Sequence, residues 1–154
     1  MRFMLGLLLV FAFVGVVKGR FTGLFGAKSK PVSTQLLATP SCEGRQLCGI
    51  AYIAPWCPAC NQLIPVLQMI SKLGGLHHGN YGAFVVVGKG RDLAEDRAKA
   101  REVGGDALVD EGDRYYDALG IDRYPTFVVV DAAGNVRHRD QAAFNWMQRE
   151  IIGH

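Results

Sequence analysis

Acidic residues are missing from the first 30 positions of this chain, and its apolar N-terminal run is short for a membrane-spanning helix. The run covers residues 3–17, 15 uncharged residues that follow Arg2, whereas about 20 are needed to span a bilayer comfortably. No clear small-x-small cleavage site follows it. Residues 1–18 are therefore predicted to be either a signal peptide or an uncleaved membrane anchor, and the Gly- and Lys-rich residues 19–31 are predicted to be a linker.

Residues 31–154 have no excess of positive charge. Five of the 17 Lys and Arg residues precede position 31, which leaves 12 basic against 14 acidic residues beyond it. The overall charge of +3 thus belongs to the N-terminal segment, and no basic patch interleaved with aromatic residues indicates nucleic-acid binding. We expect the N-terminal segment to associate with a membrane. Basic residues after the apolar run favour a cytoplasmic-facing orientation by the positive-inside rule.

Cysteine is scarce, with four residues in the whole chain, but all four fall within residues 42–60. Cys57 and Cys60 stand between an apolar run, predicted to be a buried strand, and a segment with apolar residues at helical spacing. This context is typical of a thiol–disulfide switch. A zinc knuckle usually repeats the short spacing, whereas Cys42 and Cys48 have five residues between them. A redox-active disulfide Cys57–Cys60, with no metal and no other cofactor, is the favoured interpretation; a metal site and a merely structural pair are the alternatives.

The position of Cys57 at the expected helix start makes it the predicted nucleophile. Unpaired N–H groups and the positive end of the helix dipole meet there, and both favour a thiolate. We expect the pKa of Cys57 to lie below the ~8.5 of a free thiol. Pro58 suits the first helical position, because the N–H that it lacks would have no partner there. Cys60 follows one turn later and is the predicted resolving thiol, which attacks a mixed disulfide on Cys57.

Strands and helices alternate in the rest of the chain, with no internal repeat, which predicts an α/β sheet. Asp92 and Glu95 resemble a capping box at the start of a helix that ends near residue 103. Continuous apolar runs at 83–87 and 126–131 are typical of strands buried on both faces. The further expectations are a first strand over 32–38, a helix over 61–73, a short strand over 107–109, a helix capped by Asp113 and ending at 119, a hairpin strand over 136–139 and a closing helix over 141–152.

Two motifs in order make the chain similar to the thioredoxin-like superfamily over residues 32–154. The first is Trp56-Cys-Pro-Ala-Cys60, and the second is Gly120-Ile-Asp-Arg-Tyr-Pro-Thr-Phe-Val-Val-Val-Asp131. The resemblance implies an α/β thioredoxin-like fold, in which helices flank a central mixed β-sheet. It also implies that Pro125 is a cis-proline facing the cysteine pair. The substrate-binding residues implied by the resemblance are Trp56, Tyr124, Pro125 and Thr126.

The apolar N-terminal segment and the ending Val-Val-Asp-Ala-Ala-Gly-Asn-Val136 make the chain similar to the membrane-anchored or secreted TlpA-like branch. The resemblance implies a protein-disulfide oxidoreductase with protein thiols and disulfides as substrates. Several members of the branch reduce selected disulfides outside the cytoplasm, including those of apocytochromes c before haem attachment, so we expect a reductant. Such a reductant needs a separate electron donor or acceptor. The expected location is the periplasm or cell envelope, with a cytoplasmic-facing orientation as the alternative.

Two features depart from the pattern of the superfamily. Thioredoxins carry a buried Asp six residues before the first motif cysteine, where this chain has Ala51, so the resolving thiol lacks an obvious base. Glu43 and Lys89 are candidate substitutes, although a solvated surface charge is the simpler interpretation of each. Cys42 and Cys48 lie outside the motif and are a candidate second disulfide. Free thiols, a relay and a metal pair are the alternatives for them.

Two other functions are kept as alternatives to catalysis. A thioredoxin-like surface can serve as a non-catalytic, membrane-tethered binding or assembly module, and a Cys-x-x-Cys pair can carry a metal. Gly88-Lys-Gly90 follows a predicted strand but lacks the other residues of a phosphate-binding loop, so it is predicted to be a turn. His77 and His78 are expected in a solvent-exposed loop.

Overall fold

The computed structural model describes residues 30–76 and 79–153 of the chain. The predicted signal peptide or anchor, residues 1–18, lies outside the described residues, as do most of the predicted linker and the pair His77 and His78. Within the described part of the chain, no helix is both long enough and apolar enough to cross a membrane.

Helices and strands alternate along most of the described chain. In chain order they are α1 (Thr34–Leu37), β1 (Leu47–Ile53), α2 (Pro58–Gln62), α3 (Ile64–Leu73), β2 (Tyr81–Val87), α4 (Leu93–Val103), β3 (Leu108–Val109), α5 (Arg114–Leu119), β4 (Thr126–Asp131), β5 (Val136–Arg139), α6 (Asp140–Met147) and a π-helical turn (Gln148–Ile152).

Five strands form one mixed sheet in the order β3-β2-β1-β4-β5. The central strand β1 pairs parallel with β2 and antiparallel with β4. β3 extends the sheet parallel to β2, and β5 extends it antiparallel to β4. Nearly every residue of β1, β2 and β4 is buried, as expected for the continuous apolar runs that predicted these strands. The predicted central mixed sheet is confirmed.

The sheet separates two apolar cores. On one face, Ala51 and Ile53 of β1 pack with residues of α3, α4 and α6, and the pair Cys57 and Cys60 belongs to the same core. On the other face, Tyr52 packs with residues of α1 and α5. Successive side chains of a strand point to opposite faces, so β1 supplies both cores in alternation. The cysteine pair therefore lies on the face of the sheet that Ala51 occupies.

Several predicted elements are confirmed with small shifts. The N-cap at Asp92 is present, since its carboxylate accepts the N–H of Glu95 at 2.8 Å. The Glu95 carboxylate in turn accepts the N–H of Arg91 at 2.6 Å, one residue earlier than a capping box requires. The strands expected over 126–131 and 136–139 coincide with β4 and β5.

Two expectations about the N-terminal half are wrong. Residues 32–38 contain the helix α1 instead of a strand, because Leu36 and Leu37 turn together into the second core. The helix expected over 61–73 is divided at Leu63 into α2 and α3. Pro65 explains the division: proline has no N–H, and its ring clashes with the carbonyl four residues earlier in a continuous helix.

The closing helix also differs from the expected one. It begins at Asp140, and α-helical geometry ends at Met147, after which the backbone widens into the π-helical turn. Both parts place apolar residues, among them Trp146 and Ile151, in the core that contains the cysteine pair.

Candidate functional site

The cysteine pair lies where β1 ends and α2 begins. The N–H of Cys57 donates to the carbonyl of Ala54 at 3.1 Å, which turns the chain out of the strand. Cys57 then occupies the N-cap position, before Pro58 as the first helical residue. Its Sγ accepts the N–H of Cys60 at 3.1 Å, and the two sulfurs form a disulfide with Cα atoms 5.2 Å apart. A free N–H of the helix start therefore points at the sulfur of Cys57, which favours a thiolate there.

The disulfide is almost completely buried. Cys57 is 3% exposed and Cys60 is 1% exposed. Ala51, at the position of the buried Asp of thioredoxins, is fully buried in the same core. A methyl group thus enters the core where a carboxylate could have accepted a proton from the resolving thiol.

Glu43 and Lys89 are the two charged candidates for that base, and the surroundings of neither suit the role. Glu43 is exposed and lines a cleft beside the other cysteine pair. The Nζ of Lys89 donates to a carboxylate oxygen of Asp113 at 2.6 Å, and this hydrogen bond raises the pKa of Lys89. A lysine with a raised pKa stays protonated at neutral pH. Neither residue therefore meets the requirements for a base at Cys60.

A second turn lies next to the cysteine pair. The Tyr124–Pro125 peptide bond is cis. Thr126 is fully buried, and its hydroxyl donates to the carbonyl of Arg123 at 2.7 Å, so this hydroxyl is engaged inside the turn. The ring of Tyr124 meets the indole of Trp56 edge-on, with 5.1 Å between the ring centroids. Because Trp56 directly precedes the first cysteine, this contact places the cis-proline turn beside the disulfide.

A contact to Trp56 from the loop after β2 was not predicted. Trp56 is 56% exposed, and its Nε1 donates to the carbonyl of Lys89 at 2.7 Å. The sequence indicates Lys89 only as a candidate base and as part of a turn. The signal that could have found the contact is the parallel pairing of β1 and β2, because the carboxyl ends of parallel strands meet at the same edge of a sheet.

Asp110 and Asp113 precede α5, and their carboxylates do not have the roles that the sequence predicts. Asp113 occupies the N-cap position with a left-handed φ of 58°, and its side chain makes no cap hydrogen bond. The buried carboxylate of Asp110 accepts the N–H groups of Tyr115 and Tyr116 instead, each at 2.9 Å. It also accepts the hydroxyl of Tyr52 at 2.9 Å. The prediction that Asp113 is the N-cap residue is confirmed, but its carboxylate binds Lys89 and does not cap the N–H groups of the helix.

No protein-family model matches the chain, and no curated protein matches it in sequence. Solved structures are similar to it. The pneumococcal exposed lipoprotein thioredoxin Etrx1 from Streptococcus pneumoniae has a TM-score of 0.54 at 18% identity, over 73% of this chain and 90% of that one. The N-terminal domain of PilB from Neisseria gonorrhoeae has a TM-score of 0.52 at 16% identity, over 68% and 76%. The chain has the thioredoxin-like fold. A secreted Mycobacterium tuberculosis disulfide oxidoreductase homologous to E. coli DsbE has a similar structure. Its TM-score is 0.51 at 15% identity, over 73% of this chain and 85% of that one.

This thioredoxin-like fold carries a second disulfide, between Cys42 and Cys48, whose Cα atoms are 5.5 Å apart. Cys48 is the second residue of β1, and Cys42 lies in the loop before that strand. The bond thus ties the loop to the amino end of β1, and the Cys-x-x-Cys pair follows its carboxyl end. A cleft of about 340 Å³ borders the bond and is lined also by Glu43, Arg45 and Asp131. In residues 30–76 and 79–153, no group of three or more His, Cys, Asp or Glu residues is placed to hold a metal.

Removal of this bond is expected to destabilise the thioredoxin-like fold without disturbing the site. A disulfide that closes so short a loop contributes about 2 kcal/mol by restricting the unfolded chain. The double variant Cys42→Ala/Cys48→Ala should lose about that much free energy of unfolding in urea titrations of the full-length chain. Each single variant should lose the same amount as the pair, since either one removes the bond. A loss that differs strongly between the two single variants would show that packing, not the bond, is the source.

Proposed function

We propose that the protein is an extracytoplasmic, TlpA-like protein-disulfide oxidoreductase that acts as a reductant through Cys57 and Cys60. One observation carries this proposal: the Sγ of Cys57 lies at the start of α2, accepts the N–H of Cys60 and is bonded to its sulfur. The names of two similar structures, a secreted disulfide oxidoreductase and an exposed lipoprotein thioredoxin, support it.

The first step of the proposed reaction is an attack by reduced Cys57 on a substrate disulfide. The Cys57 thiolate forms a bond to one substrate sulfur, and the other substrate sulfur leaves as a thiolate, which takes up a proton from solvent. The product is a mixed disulfide between Cys57 and the substrate. The N–H of Cys60 stabilises the negative charge on Cys57 before the attack.

The second step releases the substrate. Cys60 loses its proton, and its thiolate attacks the Cys57 sulfur of the mixed disulfide, so the second substrate sulfur leaves as a thiol. The protein ends in the Cys57–Cys60 disulfide seen in the structure, and two electrons have passed to the substrate. A dithiol protein is the class of partner that must return these electrons. Since Ala51 supplies no base, we expect the proton of Cys60 to leave through water at the mixed-disulfide stage.

The proposed substrate surface consists of Trp56, Tyr124 and Pro125. Trp56 and Tyr124 pack against each other beside Cys57, and an open cleft of about 420 Å³ borders Pro125. Apolar side chains, including Leu63 and Phe127, line much of this cleft. An extended protein segment with an apolar residue near its cysteine fits this surface, and an apocytochrome c is one such substrate. Thr126 supports the turn from inside. A larger cleft of about 570 Å³ lies between α1 and α5, and neither cysteine of the pair lines it.

The second candidate function is a non-catalytic, membrane-tethered binding module. The burial of both cysteines favours it, because a disulfide that is 3% and 1% exposed offers little surface for attack. An uncleaved N-terminal anchor would hold either kind of protein near the membrane, whereas a cleaved signal peptide would release it.

Mixed-disulfide trapping tests the proposal. Cys60→Ser should accumulate a covalent complex between Cys57 and its substrates, because serine does not form the thiolate that resolves the bond. The variant, reduced and desalted, is mixed with a cell-envelope protein fraction and analysed by non-reducing electrophoresis and mass spectrometry. Complexes should appear with oxidised fractions and be absent from fractions reduced and alkylated beforehand.

The double variant Cys57→Ser/Cys60→Ser is the matched control and should trap nothing. If Cys60→Ser also traps nothing while its Cys57 reacts readily with an alkylating reagent, the binding module becomes the better interpretation. An oxidase would instead be indicated if the unchanged chain, with its Cys57–Cys60 disulfide intact, oxidised the thiols of a reduced fraction and its reduced form did not reduce the disulfides of an oxidised one.

A further inference from the structure

The loop after β2 is joined to the site through Trp56 and to α5 through the side chain of Lys89. The carbonyl of Lys89 accepts the indole N–H at 2.7 Å. The Nζ of the same residue lies 2.6 Å from a carboxylate oxygen of Asp113 and 3.9 Å from the centroid of the Tyr116 ring. Lys89 thus makes two contacts with its side chain on one side and one with its backbone on the other.

The backbone of Lys89 is held in an uncommon conformation. Its φ is 63°, in the left-handed region that non-glycine residues rarely adopt. Such a conformation persists only where surrounding contacts hold it. The ion pair with Asp113 and the position of the ammonium over Tyr116 are contacts that can do so, since both fix the far end of the side chain.

The partners of Lys89 are themselves anchored in the core. The N–H of Tyr116 donates to the buried carboxylate of Asp110, which also accepts the hydroxyl of Tyr52. Tyr52 is fully buried in β1. A series of contacts therefore joins the exposed Trp56, through Lys89 and Tyr116, to the buried Tyr52 of the second core.

We propose that Lys89 is a positioning residue that holds the Trp56 indole as one wall of the substrate surface and thereby sets the affinity for peptide substrates. This inference rests on the proposed function, because the substrate surface that Trp56 borders belongs to that proposal. Trp56 carries the indole, and Lys89 acts only through it. Lys89 takes no part in the exchange of sulfur bonds.

Lys89→Asn and Asp113→Asn are the variants that test it. Asparagine tolerates the left-handed backbone of both positions, so each variant removes the ion pair without adding backbone strain. The control is Arg97→Asn on α4, which removes an exposed ion pair between Arg97 and Glu111. The probe is a synthetic peptide closed by one disulfide, with a fluorophore and a quencher, reduced by the full-length chain in the presence of excess dithiothreitol.

Lys89→Asn and Asp113→Asn should each raise the KM for this peptide about threefold, the range expected for one exposed ion pair, and leave kcat nearly unchanged. The double variant should raise the KM no further, because both changes remove the same contact. Lys89→Arg should restore most of the affinity, since its charge can pair with Asp113. Arg97→Asn should match the unchanged chain.

A second measurement reports on Trp56 without turnover. Acrylamide quenching of Trp56, taken as the difference from the Trp56→Phe counterpart, should increase in Lys89→Asn because the indole is no longer held. Unchanged quenching in that variant overturns the inference, as does a fall in kcat at constant KM. Absence of any peptide reduction by the unchanged chain counts against the proposed function instead, and the quenching result then decides the inference alone.

Discussion

Cys57→Ser is expected to lower the rate of peptide disulfide reduction by at least about 1,000-fold, because a serine hydroxyl forms neither the thiolate nor the mixed disulfide that the reaction requires. Cys57 is the residue at the helix start, and its sulfur receives the N–H of Cys60. The rate is measured with the fluorophore–quencher peptide and the full-length chain, starting from the fully reduced protein.

The second cysteine pair provides the matched control for this prediction. Cys42→Ala/Cys48→Ala should keep the rate within about twofold, since the two disulfides share no contact and their effects should be independent. The assignment of the reaction to Cys57 and Cys60 would be wrong if Cys42→Ala/Cys48→Ala lost most of the rate. It would also be wrong if Cys57→Ser kept more than about one tenth of the rate.

Asp110→Ala is expected to lower the free energy of unfolding by about 3 kcal/mol, because it leaves the hydroxyl of Tyr52 and two N–H groups of α5 without their acceptor. Asp110 is 4% exposed, and Tyr52 is fully buried, so water does not replace the lost hydrogen bond to the hydroxyl. Burial and the hydrogen bond to the Asp110 carboxylate raise the pKa of Tyr52, so its hydroxyl is protonated and remains a donor at neutral pH. Urea titration measures this loss of free energy. In thermal unfolding, the midpoint temperature should fall by about 10 °C.

Tyr52→Phe separates the parts of this effect. It removes one donor and leaves the helix cap of Asp110 intact, so it should cost only about 1 kcal/mol. The double variant should lose less than the sum of the two single losses, because the orphaned hydroxyl is then absent. If the losses are additive, the Tyr52–Asp110 hydrogen bond does not contribute to stability.

The redox motif and the sheet could be predicted because their signals are local. The strand before Cys57, the helix start at Pro58 and the apolar run of β4 each depend on residues next to one another in the sequence. The second motif also located the turn at Tyr124 and Pro125, through its likeness to a known superfamily.

The remaining parts could not be predicted because they depend on contacts between distant segments. The side-chain cap of α5 comes from Asp110 and not from the N-cap residue Asp113, whose carboxylate binds Lys89 of the loop after β2. The contact between Trp56 and the carbonyl of Lys89 involves a backbone atom, which every residue possesses, so the residue types do not mark it. Only the parallel pairing of β1 and β2 points to it, and that pairing is itself a contact between distant segments. Residues around Leu36 form a helix only because the second core receives their apolar side chains.

The position of β1 between the two disulfides has a consequence for oxidative assembly of the chain. Cys48 lies near one end of this strand and Cys57 follows the other, and the extended backbone from Cys48 to Ile53 covers about 17 Å. Four cysteines allow three pairings, and both incorrect ones join the two ends of β1. Once β1 enters the sheet, neither incorrect pairing is within reach, so the strand itself selects the native cross-links. The same separation keeps the sulfur of Cys57 out of reach of the Cys42–Cys48 bond, so the strand also prevents thiol–disulfide exchange between the two pairs.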